Sequence, residues 1–172
     1  LMALVIKGSS SGQVTIDVPA AAGTNSLTIP ASTGTVALTS DVGALKLLHV
    51  QDEKGTTTHG GSASANTDNI RDLNTVKTNE ISGASLSSNQ ITLPAGTYFV
   101  EALASGLAVD HHRAFLYNVT DSDIEVLGMQ IFNSAFNTLT SGFSPVYGRF
   151  TITGTKVFEL RHRTQGAKAD IG

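Results

Sequence analysis

The side chains best suited to chemistry stand together at Asp110, His111 and His112. Imidazoles bind zinc or nickel, but adjacent side chains of an extended strand point to opposite faces, so one subunit cannot hold a metal ion with both histidines. Three copies around an axis could present three imidazoles, one from each chain. Exposed loop histidines without a metal are the simpler interpretation, and we predict no metal site.

Carboxylate pairs are a second candidate, because hydrolysis of a glycan requires two of them about 5 to 10 Å apart across a cleft. The best local acids are Asp110, Asp121, Asp123 and Glu125. The strand predicted between them places Asp110 at the opposite end from the other three, so we interpret them as solvated turn acids. The chain also lacks a phosphate loop, a dinucleotide fingerprint, a nucleophile elbow and a His-Glu-x-x-His pair. We therefore expect no catalysis and no cofactor.

Four of the five arginines fall within the last sixty residues: Arg113, Arg149, Arg161 and Arg163. A guanidinium fork suits carboxylate or phosphate, so these residues could bind an acidic surface glycan. Ion pairing with Glu159, Asp110 or Asp121 is the alternative that we favour.

Aromatic and amide side chains occur along a predicted long loop, residues 133–145. Phe132 and Tyr147 lie next to strands and are expected to anchor this loop, whereas aromatic side chains within it could stack on sugar rings. The predicted receptor-binding residues are Asn133, Phe136, Asn137, Thr138 and Leu139, together with Asp110, His111 and His112.

The composition bounds the class of protein. With 172 residues, of which 40% are apolar, the chain can hold one ordinary domain plus an extension. Abundant Gly, Ser, Thr and Ala with only 15% charged residues is typical of β-rich extracellular or virion proteins. There is no cysteine, so stability must come from packing or assembly. The net charge of −3 argues against nucleic-acid binding, and no apolar run is long enough to span a bilayer.

An eleven-residue repeat occupies residues 16–26 and 27–37, with matching proline, alanine, glycine and threonine positions. Each unit offers a short strand and a turn that begins with proline and closes with glycine. The few apolar side chains cannot make a core alone, so identical copies from neighbouring chains would have to supply the missing partners. The residues predicted to join the chains in this stalk are Val14, Ile16, Val18, Leu27, Ile29, Val36 and Leu38.

From Leu45 onward, apolar and polar residues alternate between turn residues at the spacing of a β-sandwich, without a convincing long helix. In the last strand, Phe158, Leu160 and His162 share one face and should point into the core. The predicted strands cover residues 45–52, 69–76, 90–93, 97–104, 113–119, 125–132, 146–153 and 156–163.

Loop lengths predict which end of this sandwich meets a partner. Successive antiparallel strands place their connections alternately at the two ends, and the connections at one end, residues 94–96, 119–123 and 154–155, are tight turns. Those at the other end are long, namely residues 105–112, residues 133–145 and the tail from Thr164. Variable loops at one end of a rigid scaffold commonly form a recognition surface, so we expect this end to contact a receptor.

Several segments resemble bacteriophage tail-fibre proteins, notably those from phages of marine bacteria and cyanobacteria. Residues 12–24 and 29–41 resemble their shaft segments. The motif Leu93-Pro-Ala-Gly-Thr-Tyr-Phe-Val100 and residues 48–54, 71–79 and 148–152 resemble their terminal jelly-roll domain. That domain is similar to the complement-type and tumour-necrosis-factor-like heads.

The resemblance implies an all-β homotrimer. Residues 1–44 would attach to other virion proteins and form an intertwined β stalk, and residues 45–172 would form a jelly-roll head whose loops contact a host-surface glycan or protein. The protein would belong to a virion that becomes extracellular after lysis, with no nucleic-acid partner and no membrane insertion. The alternatives are a structural capsid or neck fibre without receptor binding and, less favoured, a glycan-degrading fibre enzyme.

The end of the chain departs from this family. A jelly roll of this kind returns one more strand after its last long connection, whereas the sequence stops at residue 172. We therefore expect either that the sequence is truncated or that an open sheet edge is filled by another chain.

Overall fold

The computed structural model describes residues 4–7, 10–11, 13–16, 44–132 and 141–169. Every regular element in this part of the chain is a β-strand, which confirms the all-β prediction. The chain divides into two compact units, residues 1–43 and residues 44–172. No helix that could span a membrane occurs in the described ranges.

The first unit contains an antiparallel hairpin of β1 (Leu4–Lys7) and β2 (Gln13–Ile16). Two of the predicted stalk residues lie in β2, where Val14 pairs with Ile6 and Ile16 pairs with Leu4. These β-branched and aliphatic residues favour the pleated backbone. The other predicted stalk residues, Val18, Leu27, Ile29, Val36 and Leu38, lie outside the described residues.

The second unit holds the remaining strands. In chain order they are β3 (Leu48–Gln51), β4 (Asp68–Ile70), β5 (Thr75–Asn79), β6 (Ser85–Ser87), β7 (Gln90–Leu93), β8 (Gly96–Leu107), β9 (His111–Asn118), β10 (Asp123–Phe132), β11 (Ser141–Ile152) and β12 (Lys156–Thr164). The predicted strand at residues 90–93 is confirmed, and the one predicted at 69–76 is divided between β4 and β5.

These strands form three antiparallel sheets. The largest has the order β10-β9-β12-β7-β6. One edge of β12 pairs with β9, and its other edge pairs with both β7 and β4. In the second sheet, β8 and β11 pair along their whole length, and in the third β3 pairs with β5. Among the described strands, β8 has a hydrogen-bonded partner on one edge only. Two layers that bury their facing sides are consistent with the predicted β-sandwich.

The core lies where the large sheet faces the β8–β11 sheet, and alternation along each strand selects its residues. On β12, Phe158, Leu160 and His162 are buried, as predicted. The Phe158 ring contacts Phe150 of β11 at a centroid distance of 5.4 Å, and Phe150 stacks on Tyr98 of β8. Burial of each large apolar side chain stabilises the fold by about 1.5 to 3 kcal/mol, so these contacts hold the two sheets together.

The connection between β8 and β9 is much shorter than predicted. The expected long loop at residues 105–112 is wrong, because both strands continue into it and only Ala108, Val109 and Asp110 lie between them. Ala108 and Asp110 adopt left-handed backbone conformations, with φ of 52° and 61°, while the Val109 side chain is fully buried. The connection is therefore a tight turn whose central side chain, Val109, is buried in the protein interior.

A β-bulge in β10 lies where the backbones of β9 and β11 both approach Gly128. Its register against β9 shifts between Leu127 and Gln130, so Ala114 and Met129 cannot complete the regular ladder. Ser144 of β11 satisfies both backbone groups. Its Oγ accepts a hydrogen bond from the Ala114 backbone N–H at 2.8 Å and donates one to the Met129 carbonyl at 2.7 Å. A Cβ on Gly128 would lie 2.5 Å from the carbonyl oxygens of Ala114 and Pro145, so only glycine fits between these strands.

Candidate functional site

Asp110 and His111 form a small polar cluster at the start of β9. The His111 Nδ1 atom lies 3.3 Å from the Asp110 carboxylate and 2.7 Å from Gln165 Oε1. Its ring contacts the ring of Phe132 at a centroid distance of 4.4 Å. The backbone N–H of Gln165 donates a hydrogen bond to the backbone carbonyl of His111, which ties the segment after β12 to this strand. His111 is exposed and available for contact with a ligand.

His112 occupies the opposite side of β9, as alternation predicts, and is fully buried. Its Nδ1 lies 2.7 Å from Nε2 of His162, which is also buried, so one ring must donate and the other accept. Burial lowers the pKa of His162 to about 3, and His112 and Arg71 add to this shift. Burial and Arg71 lower the pKa of His112 as well. The pair therefore stays neutral at pH 7, and the structure places His112 beneath the surface.

The acidic residues after β9 serve the turn that follows it. Asn118 Nδ2 donates to Asp121 at 2.9 Å and to Glu125 at 3.0 Å, and Asp121 forms an ion pair with Lys156 at 2.5 Å. Asp110 precedes β9, at the other end of that strand from this turn. Within the described ranges, no group of three or more histidine and acidic side chains has the arrangement of a metal site.

The four clustered arginines have different surroundings. Arg161 pairs with Glu159 at 2.7 Å and lies 3.5 Å above the ring of Tyr117, as the favoured ion-pair interpretation predicts for this residue. Arg163 lies 3.4 Å from Asp68. Arg113 is half-buried, and its Nε atom is buried without a hydrogen-bond acceptor. Arg149 is exposed on β11, on the other sheet.

Strand register brings three of these arginines onto one surface, which we call the arginine face. It is the outer side of β4, β12, β9 and β10. One row across these strands consists of Asp68, Arg163, Arg113 and Gln130, each directly opposite the next. The neighbouring row consists of Ile70, Arg161, Phe115 and Leu127. Polar and apolar rows thus lie side by side.

The arginine face contains an open hollow of about 640 Å³. Its lining combines hydrogen-bonding side chains with an apolar floor of Phe115, Ile124 and Leu127. The polar members are Asn66, Asp68, His111, Arg113, Gln130, Arg163, Thr164 and Gln165. Most small-molecule sites have a predominantly apolar lining, so this mainly polar hollow suits a polar ligand.

The outer side of the β8–β11 sheet has a different character, and we call it the apolar face. Four large side chains are at least half-exposed: Phe99 is 70% exposed, Leu103 56%, Phe143 61% and Tyr147 50%. Pro145 lies directly opposite Leu103, and the apolar residues follow one another diagonally across the two strands. The same face also carries the exposed charged side chains of Glu101, opposite Tyr147, and Arg149, opposite Phe99. Contiguous exposed apolar area of this kind marks an interaction surface, because soluble monomers rarely keep it in water.

The structure leaves part of the predicted site open. Asn133, Phe136, Asn137, Thr138 and Leu139 lie outside the described residues, so the predicted loop contacts stay a prediction. Phe143 was expected within that loop but lies in β11. Phe99 and Leu103 were not among the predicted site residues. They share the outer side of β8 with Thr97 and Glu101, so alternation alone does not mark that side as a contact surface.

Comparison of the chain with protein-family models, with curated proteins and with solved structures returned no match.

Proposed function

We propose that the chain is a homotrimeric bacteriophage tail-fibre protein, with a head that contacts a host-surface receptor and an N-terminal segment that attaches to the virion. The observation that carries this proposal is the apolar face. A stripe of exposed Phe, Leu and Tyr side chains on a rigid sheet is complementary to a second apolar surface, and identical chains provide one.

The strand pairing supports a jelly-roll head. The pairs β9–β10, β8–β11 and β7–β12 are nested, which is the pattern of one long hairpin folded over itself into two layers. The additional pairing of β9 with β12 joins the ends of the folded ribbon. Nested antiparallel pairs of this type characterise jelly rolls, which viral proteins use widely.

The oligomeric state tests the core of the proposal. Light scattering of the full chain should give three times the 17.9 kDa mass of one copy. A stable folded monomer would overturn the assignment, because the apolar face would then remain in water without a partner.

Adsorption competition tests the receptor role separately. The purified full chain should reduce phage adsorption to host cells in a saturable manner if its head binds the receptor. A trimer that fails to compete at saturating concentration would favour the structural fibre without receptor binding.

A further inference from the structure

We propose that the arginine face binds an acidic saccharide and that Arg113 holds its carboxylate. This inference rests on the proposed receptor role, because it names the class of host molecule that the head would recognise. Three features of this surface support the proposal: an uncompensated charge, an apolar floor and a rigid support.

Arg113 carries a charge that the described residues do not compensate. It lies directly opposite Arg163 on the neighbouring strand, and like charges in this position repel each other. Asp68 pairs with Arg163, and Glu159 pairs with Arg161, but no described carboxylate pairs with Arg113. Its Nε atom is also buried without an acceptor. A ligand carboxylate over this guanidinium would supply the missing counter-charge, and a guanidinium fork matches carboxylate geometry.

The floor beside Arg113 suits the carbon face of a sugar ring. Leu127 lies in the row next to Arg113 and is exposed, and Ile124 extends the exposed apolar strip. Phe115 lies opposite Leu127 but is buried, so it supports the floor from below. On the other side, Gln130, Gln165 and Asn66 present amide groups that can donate to and accept from hydroxyl groups. A free inorganic anion would use only the arginine, whereas an acidic saccharide would use the whole surface.

The support of Arg113 is rigid. Its strand, β9, lies inside the large sheet between β10 and β12, and the next residue, Ala114, is fully buried. Ser144 holds Ala114 to the bulge of β10, which places Gln130 directly opposite Arg113. A preorganised site of this kind loses little conformational entropy when a ligand binds.

Calorimetric titration of the full chain with hexagalacturonate, a linear oligosaccharide of uronic acids, tests the proposal. We expect saturable binding by the natural chain and at least about tenfold weaker binding by Arg113→Gln, since a charge-assisted hydrogen bond is lost. Arg113→Lys should bind at an intermediate strength, because it keeps the charge without the fork. Lys46→Gln, which removes one exposed charge outside the arginine face, should change the affinity less than about twofold.

Two further measurements separate this role from a structural one. Arg113→Gln removes the positive charge opposite Arg163, so its melting temperature should equal or exceed that of the natural chain. A clearly lower melting temperature would contradict the repulsion between the two arginines. The fully methyl-esterified hexamer and inorganic phosphate should both bind much more weakly than the acid. Equal binding of the ester, of phosphate, or of Lys46→Gln and Arg113→Gln would overturn the proposal.

The outcome is distinguishable from failure of the proposed function. A chain that competes for adsorption but ignores hexagalacturonate would retain the receptor role and lose the acidic-saccharide site. A chain that binds the hexamer through Arg113 without competing would retain the site and lose the receptor role.

Discussion

The two outer surfaces of the sandwich differ in how their large side chains are partnered. On the arginine face, Arg161 already contacts Glu159 and Tyr117, and Arg163 contacts Asp68, so Arg113 is the exception. On the apolar face, Phe99 and Phe143 stand in solvent. An apolar stripe gains by leaving water and so suits a permanent interface. A surface on which one arginine lacks a described carboxylate partner suits a ligand that binds reversibly.

The largest expected effect comes from placing a charge on the apolar face. Leu103→Glu should weaken self-association by about 4 kcal/mol, or about a thousandfold, because the carboxylate would be desolvated at the interface. Sedimentation or light scattering over a concentration series measures the change. Leu127→Glu is the matched control, since Leu127 is 53% exposed against 56% for Leu103 but lies on the arginine face.

Leu127→Glu should keep the assembly intact and instead weaken binding of hexagalacturonate, because the new glutamate carboxylate would lie beside Arg113. If Leu127→Glu dissociates the assembly while Leu103→Glu does not, the roles assigned to the two faces are reversed.

Acid should loosen the core beneath the arginine face. The pKa of His162 is lowered to about 3 and that of His112 is also lowered. Near pH 6.5, these two imidazoles therefore become protonated in the unfolded chain while they remain neutral in the folded chain. Stability should therefore fall as the pH drops below about 6.5, by about 1.4 kcal/mol per pH unit from His162, and His112 should add a loss in the same direction.

Urea unfolding at pH 7 and pH 5 measures this loss, which we expect to be at least about 2 kcal/mol. His111→Gln should retain it, because that exposed imidazole is outside the pair. Equal stability at the two pH values would show that the buried histidines do not govern the acid response.

The glycine between the two sheets should tolerate no side chain. Gly128→Ala should lower the free energy of unfolding by about 2 kcal/mol, because the new methyl group would meet the Ala114 and Pro145 carbonyls and push the arginine face away from β11. Gly154→Ala is the control, since no atom lies within 4 Å of its Cβ position. Thermal unfolding that ranks the two variants equally would contradict the close approach described for the bulge.

The smallest effect is expected at the rim of the arginine face. Asp68→Asn removes the partner of Arg163, an exposed pair, and should change the free energy of unfolding by less than about 1 kcal/mol. It should also strengthen binding of hexagalacturonate by about two- to fivefold, because the surface becomes more positive. Weaker binding by this variant would mean that the ligand does not approach this row.

The sequence predicted the strands better than their connections. Alternation alone places Phe158, Leu160 and His162 inside, because period-two burial is a local property of the chain. The turn at Ala108–Asp110 was missed because nothing local shows that non-glycine residues will adopt left-handed backbone, and because Val109 is buried by distant strands. Tertiary contacts decide such a turn.

The candidate site was predictable in its residue types and not in its arrangement. The clustering of arginines was visible in the sequence, but their different environments depend on strand register. Arg161 and Arg113 lie on neighbouring strands of one sheet, yet Glu159 satisfies the first and no described carboxylate satisfies the second. Register across β4, β12 and β9 joins residues almost a hundred positions apart, which no short pattern encodes.

The hydrogen bond between His112 and His162 gives the fold an internal probe. The shared imidazole hydrogen lies between two central strands and is shielded from water, so it can exchange with solvent only when those strands separate. A single proton resonance, observed without any label, would then report how often the sandwich opens. The same signal can be followed in the natural chain and in Leu103→Glu, which tests how the proposed assembly affects internal motion.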